Sequence, residues 1–278
     1  MSGDRDAAVL ARVALTWLAE PGTRSVHALV SSVGPVAALA HLLAGDTADS
    51  ALRQAVSARV ATADPRRVAQ EALGRARRLG ARIATPEDPD WPAPVERLAA
   101  LPATGDRRVE RENAPPLCLW VRGALPLAET LDRSVAIVGS RASTAYGDHV
   151  ATDLAYGLAE RGWTVVSGGA YGIDAAAHRG SLTGGGPTVA VLACGVDRPY
   201  PMGNAALFDR IVDAGLLISE WPPGAEPHRH RFLIRNRLIA AATCGTVLVE
   251  AAARSGATST LRRALALRRP AMVVPGPV

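Results

Sequence analysis

Apolar residues recur at three- and four-residue spacing through the first 85 positions of the chain. Val9, Val13, Leu15 and Leu18 precede Pro21-Gly22; Val26, Leu29 and Val30 precede Gly34-Pro35; Val36, Leu39, Leu42 and Leu43 follow. That period predicts short helices joined by Gly-containing turns, a helical unit over residues 1–84. Ser32-Val33-Gly34-Pro35 is one candidate turn of a helix-hairpin-helix or SAM-like nucleic-acid module, and a plain helical bundle satisfies the same pattern. Pro86, Pro89, Pro92, Pro94, Pro102, Pro115, Pro116 and Pro126 then exclude a long helix. Residues 85–132 therefore read as a connector packed on the next domain, with a strand at 117–121.

From 133 the period changes. Runs at 135–138, 164–167, 188–192, 216–219, 246–250 and 271–274 are apolar on both faces, as buried parallel strands require. Helical patterns such as Val150, Leu154 and Leu158 separate them. Strands alternating with crossover helices predict a doubly wound α/β sheet over 133–278, with a ligand site beyond the carboxyl ends of the strands.

Composition narrows this picture. With 278 residues, 48% hydrophobic and 21% charged, the chain is outside the disordered and collagen-like classes. Cys118, Cys194 and Cys244 stand far apart, without a second Cys or His at zinc-ligand spacing, so neither a disulfide framework nor a metal site is expected. No run of about 18 apolar residues is present, and Met-Ser-Gly-Asp-Arg-Asp is too polar to open a signal peptide; a cytoplasmic protein is expected. All 31 basic residues are Arg, and residues 221–278 hold 9 of them against 2 acids. A net +7 there is an anion-binding footprint if folding gathers the guanidinium groups on one face, and a solvated helix face if it does not.

Chemistry concentrates after the strands. Gly139-Ser140-Arg141, entering a helix around 146–161, offers backbone N–H groups and a charged fork to a phosphate. Neither the G-x-G-x-x-G fingerprint nor, without Lys, a P-loop is present. In Ser167-Gly168-Gly169-Ala170-Tyr171-Gly172-Ile173-Asp174 the glycines allow close backbone approach, and Asp174 reads as a helix cap or an acid/base group. Cys194 to Pro201 and Ser219 to Gly224 read as irregular loops. In His228-Arg229-His230-Arg231 the two imidazoles lack an acidic or Cys partner nearby for a metal; Arg231 and Arg235 fall on one helical face with Arg237 a turn away. Arg254-Ser255-Gly256 starts a further helix, with Arg262, Arg263, Arg268 and Arg269 beyond it.

Residues 135–141, 167–178 and 194–201, with Ser219-Glu220, the Arg-Asn-Arg of 232–240, and Val249-Glu250 followed by Ser255-Gly256, closely resemble the DNA-processing protein DprA (Smf) family in order from about 85 to 278. The resemblance implies an extended Rossmann-like parallel sheet behind a small N-terminal all-helical domain. It also implies a non-catalytic protein that binds single-stranded DNA, protects it, and loads the recombinase RecA in natural transformation, without cofactor, as a homodimer through the Rossmann domain. Carried over by position, its phosphate pocket comprises Gly139, Ser140, Arg141, Gly168, Gly169, Arg235, Asn236 and Arg237, with Ser255 and Gly256 beside it. Many relatives carry Lys where this chain has Tyr171, which brings a stacking surface but no charge, and basic residues where it has Met202 and Gly203; Arg179, Arg198 and Arg229 are candidates to compensate. Relatives continue past Pro275-Gly276, so a C-terminally truncated Rossmann domain is expected.

Two other readings fit some of the same residues. A nucleotide phosphoribohydrolase or other nucleotide-binding enzyme would use Asp174, Glu220 and Glu250, but its Pro-Gly-Gly-x-Gly-Thr loop is represented only by Cys244-Gly245-Thr246. A protein-interaction scaffold would set the basic stretch against an acidic partner.

Overall fold

The computed structural model describes residues 2–102, 113–252 and 255–276. Four helices open the chain: α1 (Ser2–Leu18), α2 (Arg24–Ala44), α3 (Ser50–Val60) and α4 (Pro65–Arg78). Their starts are set locally. Asp49 accepts the Leu52 N–H at 3.0 Å, and Asp64 accepts from Arg66 with Pro65 in the first turn. The predicted turn falls inside α2, where Gly34 (φ 80°, ψ 163°) and Pro35 break the helix into two. One 18-residue window of α2 reaches a mean hydropathy of 1.6, long and apolar enough by composition to cross a membrane. Packing accounts for part of that apolarity: Val26, Val30, Ala38, Leu39 and Leu42 are buried in one core with Leu15 and Leu18 of α1, while Val33, Val36 and Leu43 are exposed.

The helical reading ends too late at 84, because β1 (Ala81–Ala84) already belongs to the sheet. The other strands are β2 (Leu119–Arg122), β3 (Ser134–Val138), β4 (Thr164–Ser167), β5 (Thr188–Leu192), β6 (Leu216–Ser219), β7 (Gly245–Leu248) and β8 (Ala271–Val273). They form one eight-stranded sheet in the order β1-β2-β6-β5-β4-β3-β7-β8. From β6 to β8 every neighbouring pair is parallel, as expected; β1 and β2 add an antiparallel edge to β6. β1 runs into the proline-rich stretch and β2 lies within it, and among the described residues between them the regular structure is a 3₁₀ helix, Ala93–Ala100.

Helices cover both faces: α5 (Leu127–Asp132), α6 (Ala145–Glu160), α7 (Ile173–Thr183), α8 (Ala205–Ala214), α9 (Arg229–Ala242) and α10 (Gly256–Ala266). Ile137, Val165 and Val247 pack under Ala151 and Ala155 of α6 and Ala176 of α7. The alternate residues Ala136, Val166 and Val189 meet Leu238 and Ile239 of α9 and Leu131 of α5. Toward the antiparallel edge, Trp120, Leu192 and Leu217 share a core with the four N-terminal helices and with Phe208 and Ile211 of α8. Burial on both sides is the physical reason the strands read as unbroken apolar runs. The chain leaves β3 toward β4 on one side and returns to β7 on the other. This reversal opens a crevice beyond the carboxyl ends of β3 and β7.

Candidate functional site

A cavity of about 830 Å³ occupies that crevice. Gly139, Ser140 and Arg141 after β3 form one wall; Arg235 and Asn236 of α9, and Ser255 and Gly256 at the start of α10, form another. Seven of the residues nominated from sequence thus converge. Gly168 and Gly169 lie behind the wall, Tyr171 and Arg237 do not line it, and Arg254 lies outside the described residues.

The first turn is held by its own backbone. The Ser140 N–H donates to the Glu250 carbonyl at 2.7 Å, and the Ile173 N–H donates to the Ser140 carbonyl at 3.1 Å. Arg141 is exposed, its guanidinium 5.1 Å from the centroid of Phe232, whose ring lies 5.8 Å from Tyr200 at a tilt of 58°. Tyr200, Phe232 and Arg141 thus form a row along the cavity, aromatic faces ending in a cation. The expected phosphate seat at the start of α6 is taken: Glu250 Oε2 accepts from the Thr144 N–H at 3.0 Å and from Thr144 Oγ1 at 3.1 Å. A carboxylate satisfies the positive helix end that was assigned to a ligand. Glu250 holds this position at φ 75°, a left-handed conformation costly for a side chain of its kind.

The glycine loop is closed by Asp174. Its carboxylate turns back from the first turn of α7 to accept the Gly168 and Ala170 N–H groups at 3.2 and 3.3 Å, so it caps the loop and not the helix. Burial raises its pKa, against the pull of Arg235. Two glycines are required by space. A Cβ on Gly172, at φ 71°, would lie 2.3 Å from the Ser140 carbonyl oxygen, and one on Gly168 would lie 2.3 Å from the Arg235 guanidinium. Tyr171 is exposed, with its hydroxyl toward Gly203, and takes no part in the row that Phe232 and Tyr200 make.

Three consecutive polar residues of α9 have three different fates. Arg235 is buried, donating from Nη1 to the Gly168 carbonyl at 2.8 Å and also to the Val191 carbonyl, so it props the glycine loop from below. Burial lowers its pKa to about 10, opposed by Asp174. Asn236 links α9 to α10 by donating to the Gly256 carbonyl at 2.9 Å while accepting from Arg235 Nε. Arg237 corrects the sequence reading. Its guanidinium is sealed in the interior, Nη2 donating to Glu220 Oε1 at 2.6 Å, and is unavailable to a phosphate. Arg231 and Arg263 are also buried, so the net positive charge of 221–278 does not gather on one face; Arg229, Arg262 and Arg268 are exposed.

Tyr200 and Phe232, which sequence reasoning does not single out, and Arg229, a candidate there only to compensate for missing charge, all line the cavity. The signal was present: Arg229, Phe232, Leu233 and Asn236 stand at i, i+3, i+4 and i+7, one stripe of α9 facing the site. Arg198, by contrast, pairs with Glu226 at 3.1 Å, and Arg179 lies outside the cavity wall. The rings of His228 and His230 stack with centroids 5.9 Å apart, and among the described residues no group of three His, Cys, Asp or Glu is placed to hold a metal.

Comparison with known proteins gives the same outline. Residues 82–278 match the family model described as DNA recombination-mediator protein A. The putative DNA processing protein DprA of Mycobacterium tuberculosis is 49% identical over 264 residues, which is 95% of this chain but 66% of that protein, so the chain spans just under two thirds of this relative's length. Among solved structures, DNA processing protein A of Streptococcus pneumoniae aligns with a TM-score of 0.74 at 27% identity, over 95% of this chain and 86% of that one. DNA processing protein A of Helicobacter pylori, described for its unique single-stranded DNA binding mode, aligns with a TM-score of 0.58 at 30% identity, over 71% and 82%. With the β3 turn, the glycine loop and the Arg-Asn-Arg helix in the order and places described above, the chain belongs to the DNA recombination-mediator protein A family, the DprA and Smf proteins.

Proposed function

We propose that this chain binds single-stranded DNA, with little sequence preference, in the cavity beyond β3 and β7. The observation that carries the reading is the row Tyr200, Phe232, Arg141 beside Arg229 and the start of α10. Aromatic faces stack on any base, while guanidinium groups and helix-start N–H groups donate to phosphates, a combination that recognises a strand without reading its sequence. The single-stranded DNA binding described for the Helicobacter pylori relative supports it. In this reading residues 133–278 form the DNA-binding domain. The protein is a non-catalytic cytoplasmic homodimer, paired through that domain, which protects incoming DNA and passes it to RecA in transformation and recombination; the family resemblance supports these steps.

The carboxylates that an enzyme reading requires favour binding. Of Asp174, Glu220 and Glu250, only Asp174 lines the cavity, and it is spent on loop N–H groups; Glu220 pairs with Arg237 and Glu250 with Thr144. The test is a fluorescence-anisotropy titration of a labelled mixed-sequence oligonucleotide, single- and double-stranded, across salt concentrations. With about four phosphates neutralised, log affinity falls with log salt at a slope near −3, at roughly −0.7 per contact. Salt-independent binding, or equal binding of duplex, overturns the proposal, and release of base from nucleoside monophosphates would favour the hydrolase.

A further inference from the structure

A second cavity, of about 370 Å³, lies between the N-terminal helices and the segment after β6. It shares a wall with the first. The extended residues leading into α9 alternate, Pro227 and Arg229 facing the first cavity, Glu226 and His228 the second. On its far side Val68, Glu71, Ala72 and Arg75 form one stripe of α4, about 10 Å long at 1.5 Å per residue.

The carboxylates along this groove are each held by an arginine, and the groove arginines Arg59, Arg75 and Arg231 each face a carboxylate. Glu71 is engaged by Arg67 at 3.0 Å, Glu226 by Arg198 at 3.1 Å, and Glu20, which borders the groove, by Arg231 at 2.7 Å. Arg75 is half exposed, and its ion pair with Asp197 is a long one, at 3.8 Å. One turn on along the same stripe of α4, Arg78 is exposed and has no ion pair among the described residues. Arg59 lies over the ring of Trp17 at 5.8 Å, and the partly exposed Trp17 and Pro222 give the groove indole and proline surface beside its cations, while Trp221, under Arg231 at 5.5 Å, is buried.

Resting on the reading above, we propose that the DNA strand continues out of the first cavity, over the Glu226–Arg229 wall, and along the groove, with its phosphates on Arg75 and Arg78 and its bases against Trp17. The helical N-terminal unit is then the second half of the DNA-binding surface, and site size is set by both units together. An extended polyanion fits because Arg75 and Arg78 follow one another along α4 beside a groove that shares a wall with the first cavity, whereas a compact anion would need its cations to converge.

Anisotropy titrations with oligonucleotides of roughly four and roughly sixteen nucleotides, the span of known single-strand site sizes, test this on the full chain. The long strand should show a salt slope steeper than the short one by about 1.4, two phosphates at about 0.7 each. Arg75→Gln with Arg78→Gln should remove that excess and weaken the long strand about tenfold, leaving the short strand and the melting temperature unchanged. A 5-bromodeoxyuridine at the far end of the long strand should crosslink to peptides of α1 or α4. Equal slopes, an equal loss on both lengths, or crosslinks confined to the first cavity would overturn the path while leaving binding in the first cavity intact. Arg141→Ala separates the two readings: it should weaken both lengths, and no effect on either removes the first cavity as the site and the path with it.

Discussion

Arg237 and Glu220 form an ion pair in the interior of the sheet domain, at 2.6 Å, with neither side chain reaching solvent. Nε and Nη1 of Arg237 and Oε2 of Glu220 have no hydrogen-bond partner, so the pair is bound chiefly to itself. Removing one partner leaves an uncompensated buried charge, worth about 3 to 5 kcal/mol. Arg237→Ala should therefore lower the urea midpoint strongly, and Glu220→Ala should do the same. Any fall in DNA binding by Arg237→Ala should follow the unfolded fraction, measured by circular dichroism on the same samples.

Arg141 is the opposite case. Its guanidinium is exposed, has no salt bridge among the described residues, and stands over Phe232. Arg141→Ala should leave the melting temperature unchanged and weaken single-stranded DNA uniformly across sequences. The salt slope should fall by about 0.7. Titrations of poly-dT and mixed-sequence strands at three salt concentrations measure both effects.

Phe232→Ala removes the centre of the row between Tyr200 and Arg141. Stacking of a base on an aromatic ring contributes about 1 to 3 kcal/mol, roughly 5- to 150-fold in affinity. The loss should be insensitive to salt, which sets it apart from that of Arg141→Ala. Phe232→Trp should retain affinity. If both Phe232 variants bind alike, the ring is packing and not a platform.

How much was legible in the sequence depends on how local each cause is. Residues 164–167, 188–192 and 216–219 read as strands because burial on both faces writes an unbroken apolar run, and they are β4, β5 and β6. Gly139 to Arg141 could be placed because a turn after a central strand has only one end of the sheet to occupy. β1 was not legible: Ala81-Arg82-Ile83-Ala84 is a partly exposed edge whose pairing with β2 lies 41 residues away at its outer end, Ala81 to Arg122. Nor was Arg237, since spacing on α9 assigns it a face but only the fold brings Glu220 to meet it. The occupation of the α6 start by Glu250 was hidden for the same reason, its partner Thr144 being 106 residues away.

Glu20 ties the helical unit to α9. It accepts from Trp221 Nε1 at 2.9 Å and from Arg231 Nε and Nη2 at 3.2 and 2.7 Å. Burial alone would raise its pKa, but the bonds from Arg231 and Trp221 prevail and it is lowered. For a lowered carboxylate the stabilisation is present above the ordinary carboxylate range and lost as pH falls through the depressed folded value. Glu20→Gln should cost about 2 kcal/mol at pH 7, the scale of hydrogen bonds to a charged group. The difference from the parent protein should shrink on acidification, and the Trp221 emission should shift as its indole N–H loses a charged acceptor.

His178 gives the chain a second acid sensitivity. It is fully buried on α7, its Nδ1 2.7 Å from Thr188 Oγ1, while Thr188 Oγ1 donates its one proton to the Val165 carbonyl at 2.7 Å. Nδ1 must then be the donor to Thr188, which fixes the tautomer of the neutral ring; Nε2 is buried without a partner. Burial first, and then Arg235 and Arg179, lower its pKa to about 3. The unfolded chain takes up a proton near the ordinary value of 6.5, and the folded chain does not until about 3. Folded protein thus binds fewer protons in that window, so stability is independent of this group above pH 6.5 and falls as pH drops below it, by at most about 1.4 kcal/mol per pH unit. Burial shifts Asp174 and Glu220 the other way, raising their pKa values so that they gain stability on acidification, which makes the comparison with a variant the informative one. In urea titrations at pH 7.5, 6 and 5, His178→Gln should lose less stability between pH 6 and 5 than the parent protein does. Parallel curves would mean that the imidazole is protonated in the fold, with Nε2 donating to a partner.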